Sequence, residues 1–240
     1  MTKPYREPKD VYLNEDRYDE PKETFKHLGR LVGALDLPDE AEVLDAGCAT
    51  GELLYYLRGL YPGIRGRGID LSEEMIARAR SRVEGFDFQA GSLLDSSLFA
   101  ERRFDLVTCC AVMPYFDDPE PPLRNLLSAV KPGGAVILFN PVNEDPIDTR
   151  LYYRSADAED SPWLPDCTHS KRTYEKVLAR SGYGIEHSWH PFRMPFALAK
   201  KADVIRAWTF ETAENPHQLV CGTQQLIDLQ ALVLRVKAVP

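Results

Sequence analysis

Apolar side chains first fall into step at Phe25, Leu28, Leu31, Val32 and Leu35, a helical spacing that opens near Pro21 and stops before Pro38. Residues 1–18 are polar and tyrosine-rich, and predict an irregular segment or a short helix. From about residue 42 the period changes. Short apolar runs ending in an acid or a small residue alternate with amphipathic stretches up to about residue 142. The runs at 43–45, 66–70, 86–90, 104–110 and 135–140 predict five strands joined by helices, the pattern of a parallel sheet with right-handed crossovers.

Beyond residue 142 the pattern loosens. Residues 144–170 contain Pro146, Pro162 and Pro165 without a clear period, and read as a long loop or broken helix. Residues 171–181 predict a helix, 184–190 a sixth strand and 231–236 a seventh. Between them, 207–212 alternates strictly, Asn215-Pro216 supplies a turn, and 219–222 can return as the partner of a β-hairpin. There is no internal repeat and no low-complexity tract. One domain over 1–240 is expected: an N-terminal cap or lid at 1–38, a ligand-binding core at 40–142, and a substrate-side elaboration at 143–227.

Chemistry concentrates in residues 43–54. An apolar run ends in Asp45, a turn of small residues follows (Gly47, Ala49, Gly51), and an amphipathic segment with Leu53, Leu54 and Leu57 takes over. Strand, tight loop and helix in that order make a nucleotide-binding loop, in which Gly47 supplies the turn and the lack of bulk at Ala49 and Gly51 lets a ligand lie on the main chain. The spacing is Gly-x-Ala-x-Gly, not the Gly-x-Gly-x-x-Gly that holds a pyrophosphate. Asp45, two residues before the first glycine, would be a poor neighbour for a pyrophosphate and a good one for an ammonium and a sulfonium. A second acid, Asp70, ends the next run and is followed by Ser72 as the N-cap of a helix. A carboxylate there can accept both hydroxyls of a ribose.

Taken together, these segments resemble the class I S-adenosylmethionine-dependent methyltransferases over roughly residues 40–142. Val130-Lys131-Pro132-Gly133-Gly134 matches the Leu-Lys-Pro-Gly-Gly type of turn that precedes that family's fifth strand. The resemblance implies a Rossmann-like, doubly wound, seven-stranded, mostly parallel sheet. It also implies S-adenosyl-L-methionine as cofactor and S-adenosyl-L-homocysteine as product. Asp45 and the loop from Gly47 through Cys48 and Ala49 to Gly51 would then lie by the methionine moiety. Asp70 would take the ribose, Leu71 would lie against the adenine, and Ser92 and Leu93 would meet the adenine edge. Ser92 departs from the Asp that many members carry. Cys109 and Cys110 would pass under the amino-acid end of the cofactor.

Bulk properties narrow the class. At 44% hydrophobic and 28% charged residues over 240 positions, the chain can bury a substantial core, and no apolar run reaches bilayer length. The start, Met1-Thr2-Lys3-Pro4, lacks the apolar core of a signal peptide, so the cytoplasm is expected and no membrane contact. The five cysteines show no Cys-x-x-Cys spacing, which favours neither disulfides nor a metal site. A formal net charge of -8 argues against nucleic acid as a partner. Asn140-Pro141-Val142-Asn143 imitates the Asn-Pro-Pro-Tyr signature of amino-methylating nucleic-acid enzymes, but it follows the fifth strand where that motif follows the fourth.

The expected reaction is methyl transfer to a small-molecule acceptor, on oxygen: a sugar, a carboxylate or a secondary metabolite. A nicotinamide-dependent (NAD(P)) oxidoreductase and a non-catalytic partner subunit that binds S-adenosylmethionine are the rivals. Ligands of open parallel sheets gather beyond the carboxyl ends of the strands. That rule selects Tyr115, Asn143 and Glu144 as substrate contacts, with Arg150, Tyr152, Tyr153 and Arg154 as an aromatic and basic cluster. Tyr12, Arg17 and Tyr18 can close over the site from the N-terminal segment. Tyr115, His169 and His190 are the candidates for catalysis, each with a plain packing role as the alternative.

Overall fold

The computed structural model describes residues 13, 17–100, 104–156, 162–201 and 206–237. The first helix, α1 (Glu23–Gly33), buries Phe25, Leu28 and Val32, as the spacing predicts. Its N-cap is Lys22, so Pro21 stands just outside the helix and not in its first turn. Alternating strands and helices follow: β1 (Glu42–Ala46), α2 (Glu52–Leu60), β2 (Arg65–Asp70), α3 (Glu73–Arg82), β3 (Phe86–Ala90), β4 (Phe104–Cys110), α4 (Glu120–Ala129) and β5 (Val130–Asn143). Ser72 caps α3 through its hydroxyl, which accepts the Met75 N–H.

β5 is longer than the apolar run implied. The Lys131-Pro132-Gly133-Gly134 turn is drawn into the strand through a register shift opposite Phe104 to Leu106, with Gly133 at φ +85°. After β5 come β6 (Tyr152–Tyr153), β7 (Leu164–Pro165), β8 (His169–Ser170) and α5 (Lys171–Arg180), then β9 (Ile185–Phe192), β10 (Trp208–Phe210), β11 (Gln218–Val220), β12 (Leu226–Ile227) and β13 (Leu229–Val236).

The main sheet runs β3-β2-β1-β4-β5-β13-β9, seven strands with β8 added beside the end of β5. β1 to β5 pair in parallel, whereas β13 is antiparallel to both β5 and β9. Alternation along the strands divides the core in two. Val43, Leu106, Ile137 and Phe139 face α1, α2 and α3; Leu44, Val107, Val136 and Leu138 face α4 and α5. Strand order reverses between β1 and β4, which opens a crevice at their carboxyl ends.

The hairpin expected late in the chain is β10 with β11, and β12 extends it to a three-stranded sheet. β12 spans two residues, too short to leave an alternation in sequence. The stretch expected as a loop or broken helix instead holds the antiparallel β6–β7 ribbon and β8. Among the described residues no helix is long and apolar enough to cross a membrane.

Candidate functional site

β1 delivers Asp45 to the crevice and the chain then turns back on itself. Gly47 and Cys48 both donate their N–H to the Ile69 carbonyl, at 2.7 and 3.0 Å, which pins the loop to β2. Gly47 sits at φ +84°, and a Cβ there would overlap the Val112 Cγ2 methyl. Ala49 holds a positive φ of 46° without being glycine. Its N–H donates to Asp70 Oδ2 at 2.9 Å, while Asp70 Oδ1 accepts the Ser72 N–H at 2.9 Å. Asp70 therefore fixes the loop and the start of α3, and each carboxylate oxygen keeps acceptor capacity for a ligand.

Gly51 has a different reason from the one its place in the motif suggested. It stands at φ +81°, and a Cβ would press on the Phe88 ring from 3.0 Å. Close packing of α2 on β3 requires it, and it does not line the crevice.

The crevice holds a cavity of ≈ 690 Å³. It brings together Asp45, Gly47, Cys48, Ala49, Asp70, Leu71, Ser92, Leu93, Cys110 and Tyr115 of the sequence-predicted residues. Leu71 is 77% and Tyr115 43% exposed, so both stand at the mouth. Ser92 turns its hydroxyl to the Leu94 N–H at 3.2 Å.

Other sequence-predicted residues lie apart from the cavity lining. Cys109 alternates to the opposite face of the sheet and is fully buried in the α4/α5 core. Tyr18 is 7% exposed and donates its hydroxyl to the Thr50 carbonyl at 2.7 Å, so it anchors the N-terminal segment to the loop and lies outside the cavity lining. His169 is buried, with Nε2 at 2.9 Å from the Phe116 carbonyl and its ring edge-on to Tyr174; it braces the turn after β4. His190 pairs with the Ser188 hydroxyl at 2.8 Å on β9, away from the cavity.

Asn143 spends its amide on a local turn, donating to the Ile147 carbonyl and accepting the Asp145 N–H. Arg150 donates to the Asp117 carbonyl at 3.1 Å, and Tyr153 belongs to the β6–β7 ribbon; neither lines the cavity. Tyr12 lies outside the described residues.

Several lining residues escaped the sequence. Glu52 is 4% exposed and accepts the Arg17 N–H at 3.2 Å, with Lys22 Nζ 3.8 Å away. Burial raises the Glu52 carboxyl and lowers the Lys22 ammonium from their ordinary pKa values. The one signal for Glu52 was its place directly after Gly51, in the first turn of α2, where a negative charge suits the helix dipole. Phe25, Phe139 and Leu229 also reach the cavity, although in sequence they are only apolar positions.

Electrostatics set the tone of the site. Full burial pushes the Asp45 carboxyl up to about 7; the Thr108 hydroxyl, donating at 2.7 Å, opposes this and Asp70 adds to it. The Cys110 thiol is pushed up to about 12, first by burial and then by Asp45. Among the described residues, three acidic side chains, Asp45, Glu52 and Asp70, line one cavity with a single basic one, Lys22. Such a site suits a cationic ligand and opposes a pyrophosphate. Among the described residues no group of three or more His, Cys, Asp or Glu could hold a metal ion.

Comparison with known proteins agrees with the geometry. A methyltransferase domain model matches residues 37–182. The chain is 29% identical over 169 residues to a trans-aconitate 2-methyltransferase of Variovorax paradoxus, covering 70% of this chain and 62% of that protein. It is 32% identical over 181 residues to a ubiquinone biosynthesis O-methyltransferase of Xanthomonas axonopodis pv. citri, covering 70% of this chain and 74% of that one. The magnesium protoporphyrin IX methyltransferase of Synechocystis, solved with bound S-adenosylmethionine, shares the fold with a TM-score of 0.53 at 17% identity, over 90% of this chain and 79% of that one. The chain belongs to the class I S-adenosylmethionine-dependent methyltransferases.

Proposed function

We propose that the protein transfers the methyl group of S-adenosylmethionine to an oxygen of a small-molecule acceptor, with the cofactor in the cavity between β1, β2 and β4. The observation that carries this is the joint presence of Asp45 and Asp70 on one cavity, with the Gly47–Ala49 backbone between them. Asp45 would meet the ammonium, Asp70 the two ribose hydroxyls, Leu71 and Leu93 the adenine faces, and the Ser92 hydroxyl its edge. Cys110 would lie beneath the amino-acid end.

A sulfonium supplies an already activated methyl group, so the chain's own work is to align the acceptor oxygen with the carbon–sulfur bond and to exclude water. Phe25, Phe116 and Phe139 provide the apolar walls for that exclusion. Oxygen as the acceptor atom draws support from the Xanthomonas relative, which is named an O-methyltransferase. The five free cysteines favour a reducing compartment, the cytoplasm. Incubation of the purified chain with methyl-labelled S-adenosylmethionine and a metabolite panel tests the proposal. Label should appear in an ether or ester, whereas tight cofactor binding with no transfer to any member would favour a non-catalytic subunit.

A further inference from the structure

The residues assigned to the cofactor account for only part of the cavity lining. Across Cys110, the sheet register sets Phe139 of β5 opposite it, and Leu229 of β13 pairs with Pro141 two positions further along β5. Phe25 and Lys22, from the start of α1, line the same cavity. Behind it, Phe139 is edge-on to Phe192 at 5.7 Å, and the His27 ring packs on both, at 6.1 and 5.4 Å. This lobe of the cavity therefore has aromatic and aliphatic walls, and its charged groups are Lys22 and the Glu52 carboxylate 3.8 Å from it.

Two absences among the described residues sharpen this. No histidine lines the cavity, and Cys110, the thiol beside the lobe, keeps its proton to about pH 12. The lining also sets three carboxylates against the one ammonium. A polyanion would bring several charges into a space that is apolar on one side and negative on the other. A molecule with an apolar body brings one negative charge in place of several, a smaller penalty that Lys22 can offset, and pockets of this make-up use their few polar groups to fix orientation.

Resting on the methyltransferase reading above, we propose that the acceptor is a largely apolar compound carrying a single acidic oxygen, a carboxylic acid or an acidic phenol. It is held as its anion with that oxygen near Lys22 and its body between Phe25, Phe139 and Leu229. The chemistry then balances without a protein base. The oxyanion's electron pair forms the new oxygen–carbon bond, the carbon–sulfur bond breaks, and its electrons stay on sulfur. Negative acceptor and positive sulfonium become a neutral ester or ether and a neutral thioether, with no proton to remove.

The test is titration calorimetry on the full chain saturated with S-adenosylhomocysteine, using biphenyl-4-carboxylate, decanoate and 4-hydroxybenzoate as apolar monoanions, the methyl ester of the first as its neutral partner, and citrate as a polyanion. At least one monoanion should bind tenfold or more tighter than citrate, and biphenyl-4-carboxylate tenfold tighter than its ester. Lys22→Met should remove the acid-over-ester preference. Leu229→Glu, at the partly exposed edge of the lobe, should weaken every monoanion by tenfold or more with the melting temperature kept. Citrate binding as well as the monoanions, no binding by any monoanion, or an acid-over-ester preference that survives Lys22→Met would overturn the proposal. Failure of S-adenosylhomocysteine itself to bind would instead strike the cofactor assignment, and is read separately in the first titration.

Discussion

Asp70 Oδ2 accepts the Ala49 N–H at 2.9 Å, so the acid that ends β2 also sets the loop that follows β1. Loop geometry thus depends on this carboxylate, and under the proposed function so does ligand contact. Asp70→Ala should raise the dissociation constant for S-adenosylmethionine at least tenfold. It should also lower folding stability by about 1.5–3 kcal/mol through the two lost charge-assisted backbone contacts. Calorimetry and urea denaturation of the same variant check both; intact binding would remove Asp70 from the site.

Gly47 and Val112 are in close opposition, and the positive φ at Gly47 adds strain to any side chain. Gly47→Val should abolish measurable cofactor binding. In the Gly47→Ala variant, adding Val112→Ala should restore part of the affinity by making room, though not all of it, since the backbone strain persists. Equal affinities for the single and double variants would show that the methyl contact is unimportant.

Asp45 predicts a pH dependence of definite sign. The folded protein keeps this proton to about pH 7, while the unfolded chain releases it near the ordinary value of 3.8. Stability contributed at this site therefore declines as pH rises between those values, by at most about 1.4 kcal/mol per pH unit, and levels off above 7. Binding of a cation runs the other way. Affinity for S-adenosylmethionine should climb with pH up to about 7, with proton release on binding below it. Asp45→Asn should flatten both profiles, as followed by melting curves and by calorimetry in buffers of different ionisation enthalpy.

The Tyr18 hydroxyl donates to the Thr50 carbonyl at 2.7 Å in a buried setting. Tyr18→Phe should cost about 1 kcal/mol of stability. Because the bond ties the N-terminal segment to the cofactor loop, protease cleavage before residue 22 should also accelerate. An unchanged cleavage rate would mean that the segment is held elsewhere.

Tyr174 offers a contrasting case. Its hydroxyl is fully buried and has no hydrogen-bond partner among the described residues. Tyr174→Phe should be neutral or stabilising by up to about 1 kcal/mol, since it removes an unsatisfied polar group and keeps the ring on Trp189. A clear loss of stability in chemical denaturation would show that the hydroxyl has a partner after all.

The parallel core was legible because β1, β4 and the apolar stretch of β5 are buried on both faces, and three of its strands carry a residue of distinct chemistry at or next to their carboxyl ends: Asp45, Asp70 and Cys110. Those three residues all line the cavity. The apolar part of the cavity was not legible, because Phe25, Phe139 and Leu229 come from elements far apart in sequence and carry no more signal than any core residue. The places of the histidines were not legible either. His169 and His190 lie near the carboxyl edge in order of sequence, yet packing commits one to a backbone carbonyl and the other to a neighbouring serine. Cys109 and Gly51 show the limit of carrying a motif residue by residue: strand alternation turns one away, and helix–strand packing claims the other.

Calorimetric titration of the purified chain with S-adenosylhomocysteine and, in parallel, with NADH reads most directly whether this crevice takes a sulfur-based methyl donor. Saturable one-to-one binding of the homocysteine product, weakened at least tenfold in Asp70→Ala and with no heat from NADH, is the expected result. Tight NADH binding on folded protein that gives no response to S-adenosylhomocysteine would contradict it.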